Sequence, residues 1–489
     1  MSVAAGAYPW RRRLIAATPY LVLLVANAVY RLPPLLNAAG VNSDAAIAGL
    51  QAMHLLNGET SRFLWGAGYQ GTFEVWVIAA FFWIGGPTPL ALMLAPMAGH
   101  LLLSFAVFAM LARLLRQRAS AFVVCLLLVF TPQAVNGVVT SSPRQWSVTL
   151  AVCSAILMAW PARRAPLRLA VGLGLVAVAL SLDLFNVLWL PAIGLLVLLM
   201  CCDPSLDNTA VDGRFVGTAA GAVTGGLLLV SLRAGAPQDH AAFDFGVQFL
   251  DRNWPLLRDV SLPWLLGAKV WMPGWNVFPD LWSPPGLVRA VQWIGAVSIV
   301  PLVIVSGWLT SRPRVSWELK AAVWFGLTAA ATALGGFLLS NWPVDLWSTR
   351  YLAPIVWSLP FSLAALAGAV RPRTLAGLLA PYLVVAAVGG WLGYGSYVDG
   401  LLPRLDDRGS GRNEIALGEF LRQRGYEHGY ADYWLAHRLT FLCASGHYSP
   451  RLVPIAIRPT RRPRAVPKSR CTSFIPASRA PGPTRCCLT

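Results

Sequence analysis

Eleven apolar stretches occupy most of the first 394 residues, at 14–30, 90–111, 121–135, 145–160, 169–182, 186–200, 216–232, 288–309, 321–339, 351–370 and 375–394. Each is a candidate membrane-spanning helix, although several fall short of the ~20 residues that a comfortable span needs. Composition agrees: 56% of residues are hydrophobic and 12% charged, and mean hydropathy is +0.58, whereas a soluble domain carries about 25% charge. The opening "MSVAAGAYPWRRRLIAATPYLVLLVANAVY" has the basic flank of a signal peptide. Its apolar run exceeds the ~7–15 residues of a signal-peptide core and no small-residue cleavage site follows, so it reads as a retained signal anchor.

Basic residues orient the bundle. Arg11, Arg12 and Arg13; Arg113, Arg116 and Arg118; Arg163, Arg164 and Arg168; Arg312, Arg314 and Lys320; and Arg371 with Arg373 fall on alternate loops. This positive-inside pattern puts the N-terminus in the cytoplasm, and an odd number of spans puts the C-terminal region outside. The expected protein is an all-α polytopic, multi-pass protein of a cell membrane. Its expected divisions are a transmembrane domain over 1–396, a small extracytoplasmic segment over 397–444 and a basic tail over 445–489.

The first outside loop, 41–74, is unusual. "NSDAAIAGLQAMHLLNGE" reads as a short helix, with Asn42, Ser43 or Asp44 capping its start and Gly58 at its end. "FEVWVIAAFFWI" is apolar, but twelve residues of helix reach only ~18 Å against a ~30 Å hydrocarbon core. It reads as an interfacial helix stopped by "GGPTP". Between them "WGAGYQGT", with Tyr69, offers glycines for close backbone approach and aromatics suited to the interface or to stacking on sugar. Two carboxylates, Asp44 and Glu74, stand at the ends of this loop in a chain with few acids. Two readings stay open: Asp44 as an N-cap and Glu74 as a complement to a helix dipole, or both as groups that handle protons, a metal ion or sugar hydroxyls.

The order of first span, "NSDAAIAGLQAMHLLNGE", then "YQGTFE" and "GGPTPLALMLAPMAGHLL" resembles the GT-C glycosyltransferases, in particular the bacterial family 39 and dolichyl-phosphate-mannose protein mannosyltransferase-like group. The resemblance extends to about Cys443, with its specific motifs between Asn42 and Pro96. It implies a multi-span bundle that transfers a sugar from a polyprenyl-phosphate carrier to an extracytoplasmic acceptor, which can be a lipid, a protein or a glycan. It also implies that the acid of the first outside loop, here Asp44, is catalytic or otherwise essential. Many such proteins carry a second acid directly after it, where this chain has Ala45. Glu74 matches a recurrent acidic position before the second loop helix.

Displacing a polyprenyl phosphate from an anomeric carbon calls for a base and for cations on the departing phosphate. A carboxylate within hydrogen-bond reach supplies the first, and the arginine fork suits the second. Arg350, followed by Tyr351 in "VDLWSTRYLAP", resembles the Arg-Tyr-Leu-x-Pro pattern of the superfamily and is the first choice for the cation; snorkelling at the membrane edge is the alternative. Asp345 is a candidate ion-pair partner for it. Arg144 in "TSSPRQW" and Lys269 in "LGAKVWMPGW" are weaker cation candidates. Asp183, in "LSLDLFNVLWLP", is a costly place for a carboxylate and a candidate substrate-binding residue, or else a member of a short turn between spans. The loop over 233–286, rich in Trp and Pro, is a candidate cover for the site.

Other function classes lack their motifs. The eight cysteines show no CxxC pairs, the six histidines form no HExxH, and there is no Walker-type glycine loop; the need for a divalent metal is left open. A transporter or flippase of a lipid-linked glycan would be equally apolar, but would more often hold its charges within the spans. The stretch "YADYWLAHRLTF" forms the core of the expected outside segment. From Ser445 to Thr489 there is no Asp or Glu but nine Lys or Arg, half of the net charge of +18. The basicity is therefore local and signals no nucleic acid. Such a tail suits binding to anionic membrane lipids. The preferred expectation is GC-rich coding sequence read out of frame, with the native end lost.

Overall fold

The computed structural model describes residues 9–141, 143–160, 165–204, 208–236, 243–271, 281–395, 412–426, 429–445 and 455–457. The molecule is an integral, multi-pass α-helical membrane protein. Among the described residues, eight helices are long and apolar enough to cross a bilayer: Pro89–Leu114, Ala165–Leu182, Leu184–Cys201, Thr209–Arg233, Gly286–Leu309, Trp317–Leu339, Leu346–Ala369 and Pro372–Trp391. The other three apolar stretches are helical as well. Leu14–Tyr30 and Gln145–Ala159 are shorter, and the stretch 121–135 belongs to a pair, Arg118–Val129 and Gln133–Thr140, bent by 86°.

That bend has a sequence cause. Pro132 lacks an N–H and pushes Thr131 out of helical conformation, so carbonyls at the break lose their helical partners. Arg31, fully buried at the end of the first helix, reaches Val129 O at 3.2 Å and is itself held by Asn27 Oδ1 at 2.7 Å. The Tyr30 hydroxyl donates to Thr131 O at 2.8 Å, and His100 Nε2 lies 2.8 Å from Leu128 O. The second half of the pair packs against the turn Leu346–Leu352.

The span Leu346–Ala369 lies at the centre, with 83% of its apolar window buried, whereas Thr209–Arg233 and Gly286–Leu309 are 17% buried and face lipid. Around the centre Trp189 stacks on Phe325 with ring centroids 5.9 Å apart, and Phe361 meets Phe325 edge-on at 5.3 Å. The peripheral helix Asn208–Arg233 is attached through small residues. Cβ atoms added at Gly217 and Gly221 would lie 2.6 Å from Pro166 Cα and 2.7 Å from Ala170 Cα, so the backbones of this helix and Ala165–Leu182 touch. Such contact is a usual way to hold helices together in lipid, where no hydrophobic drive acts between them. Gly221→Leu is therefore expected to lower the SDS-unfolding midpoint of the purified protein, with a cost of about 1–3 kcal/mol from overpacking. An unchanged midpoint would refute the close approach.

The loops sort to two ends. The Arg113 guanidinium lies over Trp160, and a Cβ on Gly368 would touch Leu115 and Leu319, so basic loops share one end. At the other end lies the first loop. It consists of the helix Ser43–Leu56, an antiparallel hairpin of Phe63–Leu64 with Ala67–Gly71, and the helix Phe73–Gly85. The hairpin was not legible from "WGAGYQGT"; its turn uses Gly66 at φ 72, a conformation glycine adopts without strain. Phe73–Gly85 buries Val75, Ile78 and Phe82 against the protein and exposes Trp76, Trp83 and Ile84, as an interfacial helix should.

The C-terminal segment sits on this loop. Helix Tyr433–Ala444 packs across Ser43–Leu56, with Phe441 fully buried, stacked on Phe82 at 6.3 Å and close against Gly49. Arg438 pairs with Glu414 of the helix Arg412–Gln423 at 3.2 Å. Strand Gly429–Ala431 pairs in parallel with Ile455–Ile457, inside the basic tail. The rest of that tail, and much of the out-of-frame reading with it, lies outside the described residues, as does part of the 233–286 loop.

Candidate active site

A small cavity of about 80 Å³ opens where the first loop, the start of Gln145–Ala159, the approach to the central span and the C-terminal helix meet. Asp44, Trp65, Tyr69, Gln70, Arg144, Arg350 and Tyr433 line it. It is smaller than the ~300 Å³ from which substrate pockets usually start, and its volume suits a phosphate-sized group.

Asp44 reaches the cavity because it is free of capping. The N-cap of Ser43–Leu56 is Asn42, whose Oδ1 accepts from Ala45 N at 2.9 Å. Of the three capping candidates, the structure selects the asparagine and leaves the Asp44 carboxylate to side-chain chemistry. Its Oδ1 accepts a hydrogen bond from the Tyr433 hydroxyl at 2.7 Å.

Arg144 lies at the N-cap position of Gln145–Ala159 and is 7% exposed. Its Nε is 2.6 Å from Asp183 Oδ2, its guanidinium covers the Phe185 ring at 4.5 Å, and its Nη1 has no partner among the described residues. Asp183 is fully buried behind the cavity rather than lining it. Its Oδ2 also accepts from Gln70 Nε2 at 3.0 Å, and its Oδ1 caps the turn Leu184–Trp189 through Phe185 N at 2.9 Å. The acid that looked costly in an apolar run therefore has a complete set of partners.

Arg350 lines the cavity from the turn Leu346–Leu352. Asp345 does not pair with it but caps that turn, accepting from Ser348 N at 3.0 Å. Among the described residues Arg350 has no carboxylate partner, and its buried Nε has no hydrogen bond. Tyr351 lies outside the lining, beneath the Arg350 guanidinium at 5.4 Å and between Phe185 and Trp342. Tyr69 lines the cavity from the hairpin. Burial pushes its phenol above the usual value, with Asp183 and Asp44 adding to the effect and Arg144 and Arg350 opposing it. Lys269 donates to Asp259 O and is not in the lining.

Glu74 is 4% exposed and does not line the cavity. Its Oε2 accepts from Trp146 N at 3.3 Å, at the start of Gln145–Ala159, and Oε1 has no partner among the described residues. Burial holds its carboxyl well above the usual carboxylate range. It thus stands in the first turn of its own helix and also meets the positive end of a helix distant in sequence. Among the described residues no three His, Cys, Asp or Glu side chains gather in a way that would hold a metal ion.

No family model matches the chain, and no curated protein does. Solved structures do. ArnT from Cupriavidus metallidurans in the apo state is 14% identical with a TM-score of 0.53, over 90% of this chain and 86% of that one. The same protein bound to undecaprenyl phosphate is 15% identical with a TM-score of 0.53, over 92% and 86%. The chain has the GT-C fold. At that identity the likeness is one of architecture. Within the GT-C fold, the sequence motifs supplied Asp44, Tyr69 and Arg350 to the cavity. Arg144 was underrated and Tyr433 missed; the only signal for the latter was its place in "YADYWLAHRLTF".

Proposed function

We propose that this protein is a glycosyltransferase that moves a sugar from a polyprenyl-phosphate donor to an extracytoplasmic acceptor. The observation that supports it best is a carboxylate, Asp44, sharing one small cavity with two arginines that keep unpaired buried N–H groups, Arg144 and Arg350. Buried N–H donors without acceptors are rare and costly, and a phosphate would satisfy both. The undecaprenyl phosphate seen with a protein of the same fold fits this reading.

In the reaction the acceptor hydroxyl gives its proton to Asp44 and its oxygen bonds to the anomeric carbon. The bond from that carbon to the phosphate oxygen breaks, and the electron pair leaves with the phosphate, whose charge Arg350 and Arg144 meet. Arginine serves here because it stays charged when desolvated and forks onto two oxygens. Tyr351, stacked under Arg350, restricts the guanidinium to the cavity side, and the ring of Trp65 offers a face for a sugar.

The direct test is to incubate purified protein with a panel of radiolabelled polyprenyl-phosphate sugars and follow label into a product other than the donor. Donor binding is tested separately. Arg350→Ala is expected to weaken undecaprenyl-phosphate affinity by about 10- to 100-fold, the range of a charged hydrogen bond. Arg350→Lys is expected to fall between, keeping charge but losing the fork. Equal affinity in all three proteins would reduce Arg350 to a membrane-edge anchor.

A further inference from the structure

The contact between Tyr433 and Asp44 joins residues 389 positions apart. The carboxylate belongs to the first loop and the hydroxyl to the C-terminal helix. We propose that Tyr433 is a positioning residue of the active site, fixing Oδ1 of Asp44 so that Oδ2 is the oxygen presented for proton transfer. The proposal rests on the reading of Asp44 as the base.

The geometry carries it. Tyr433 lines the same cavity as Asp44 and the two arginines, and its hydroxyl is the one hydrogen-bond partner of the Asp44 carboxylate among the described residues. Among the described residues Oδ2 therefore has no protein donor. A carboxylate on the first turn of a helix turns freely about its last bond, and a base is effective only when its lone pair lies within hydrogen-bond reach of the proton it takes. Anchoring one oxygen removes that freedom. The tyrosine in turn is fixed by its helix, which Phe441 docks against Gly49 and Phe82 and Arg438 ties to Glu414. Burial and the nearby Asp44 charge push the Tyr433 phenol far above its usual value, so it remains a donor at any working pH. On this account the outside segment is a wall of the catalytic site, and the enzyme is complete only with helix Tyr433–Ala444 seated.

The hydrogen bond can be probed without catalysis. The other ionisable groups facing Asp44 are His437 on the same helix, Tyr69 on the hairpin, Arg350 on the turn before the central span, and Arg144 across the cavity. None of these is altered by Tyr433→Phe, which also keeps the ring. The full-length protein is treated with a water-soluble carbodiimide and an amine at one fixed pH, and the Asp44 peptide is quantified by mass spectrometry. In Tyr433→Phe labelling of Asp44 is expected to be several-fold faster, because Oδ1 is no longer engaged by the hydroxyl. The thermal midpoint is expected to match wild type. In the transfer assay kcat is expected to fall by about 10-fold or more, the equivalent of a charged hydrogen bond, while KM for the donor stays unchanged.

Phe441→Ala, which loosens the helix without touching the hydroxyl, separates positioning from seating. An unchanged rate of Asp44 labelling in Tyr433→Phe overturns the proposal. So does a change equal to that of Phe441→Ala accompanied by an equal loss of thermal stability. Because labelling needs no sugar transfer, a wild-type protein inactive on every donor would sink the functional reading and leave this result standing. Faster labelling with Asp44→Asn fully active would overturn the role of Tyr433 in catalysis, since the carboxylate it holds would not be the base.

Discussion

Asp44→Asn is expected to cut sugar transfer by about 10²- to 10⁴-fold, the range attributed to a positioned general base, with the protein still folded and in the membrane. The expectation of intact folding comes from local structure. Asn42, not Asp44, caps Ser43–Leu56, so the helix start does not depend on the residue exchanged. Asparagine has the same shape and a carbonyl oxygen that still accepts from the Tyr433 hydroxyl. What it lacks is an oxygen able to take a proton. Donor affinity and thermal midpoint should therefore stay near wild type while kcat collapses, a separation that a damaged site could not produce. Turnover near wild type would leave Asp44 as a surface acid of the loop and remove the centre of the mechanism.

Much of the architecture was legible because lipid permits few solutions. Each apolar stretch became a helix, since backbone groups in a bilayer have to be satisfied within the segment. Span length was harder to read. The stretch 121–135 looks continuous in hydropathy, yet Pro132 breaks it, and the partners that make the break tolerable, Tyr30, Arg31 and His100, come from two other helices. The site divides in the same way. Asp44 and Arg350 announce themselves as charges beside apolar runs, but their immediate partners are set by tertiary contacts. Nothing local to Glu74 says that its carboxyl meets the helix beginning near Trp146, and nothing local to Tyr433 says that its hydroxyl ends on a residue of the first loop. Asp345 misled for a related reason: five residues before Arg350, it has a nearer use as the cap of its own turn.

Asp183 and Arg144 give the other large effect, and it is one of stability. The pair is almost completely buried, with side-chain exposures of 1% and 8%. Asp183→Ala removes the compensation from a desolvated guanidinium and leaves Gln70 Nε2 and Phe185 N without their acceptor. Breaking a buried pair from one side typically costs about 3–5 kcal/mol, whereas replacing both members with apolar residues is often neutral. The expected pattern in SDS titration is a strongly destabilised Asp183→Ala and a substantial recovery in Asp183→Leu with Arg144→Leu. Transfer should not recover with the fold, because the double variant lacks the guanidinium of Arg144, a residue of the cavity lining. A ligand role for Asp183 makes the opposite forecast: Asp183→Ala would keep its unfolding midpoint and lose donor affinity. Each Asp183 oxygen already accepts hydrogen bonds from the protein, so under the proposed function the carboxylate is expected to bear on the donor through the arginine it holds in place.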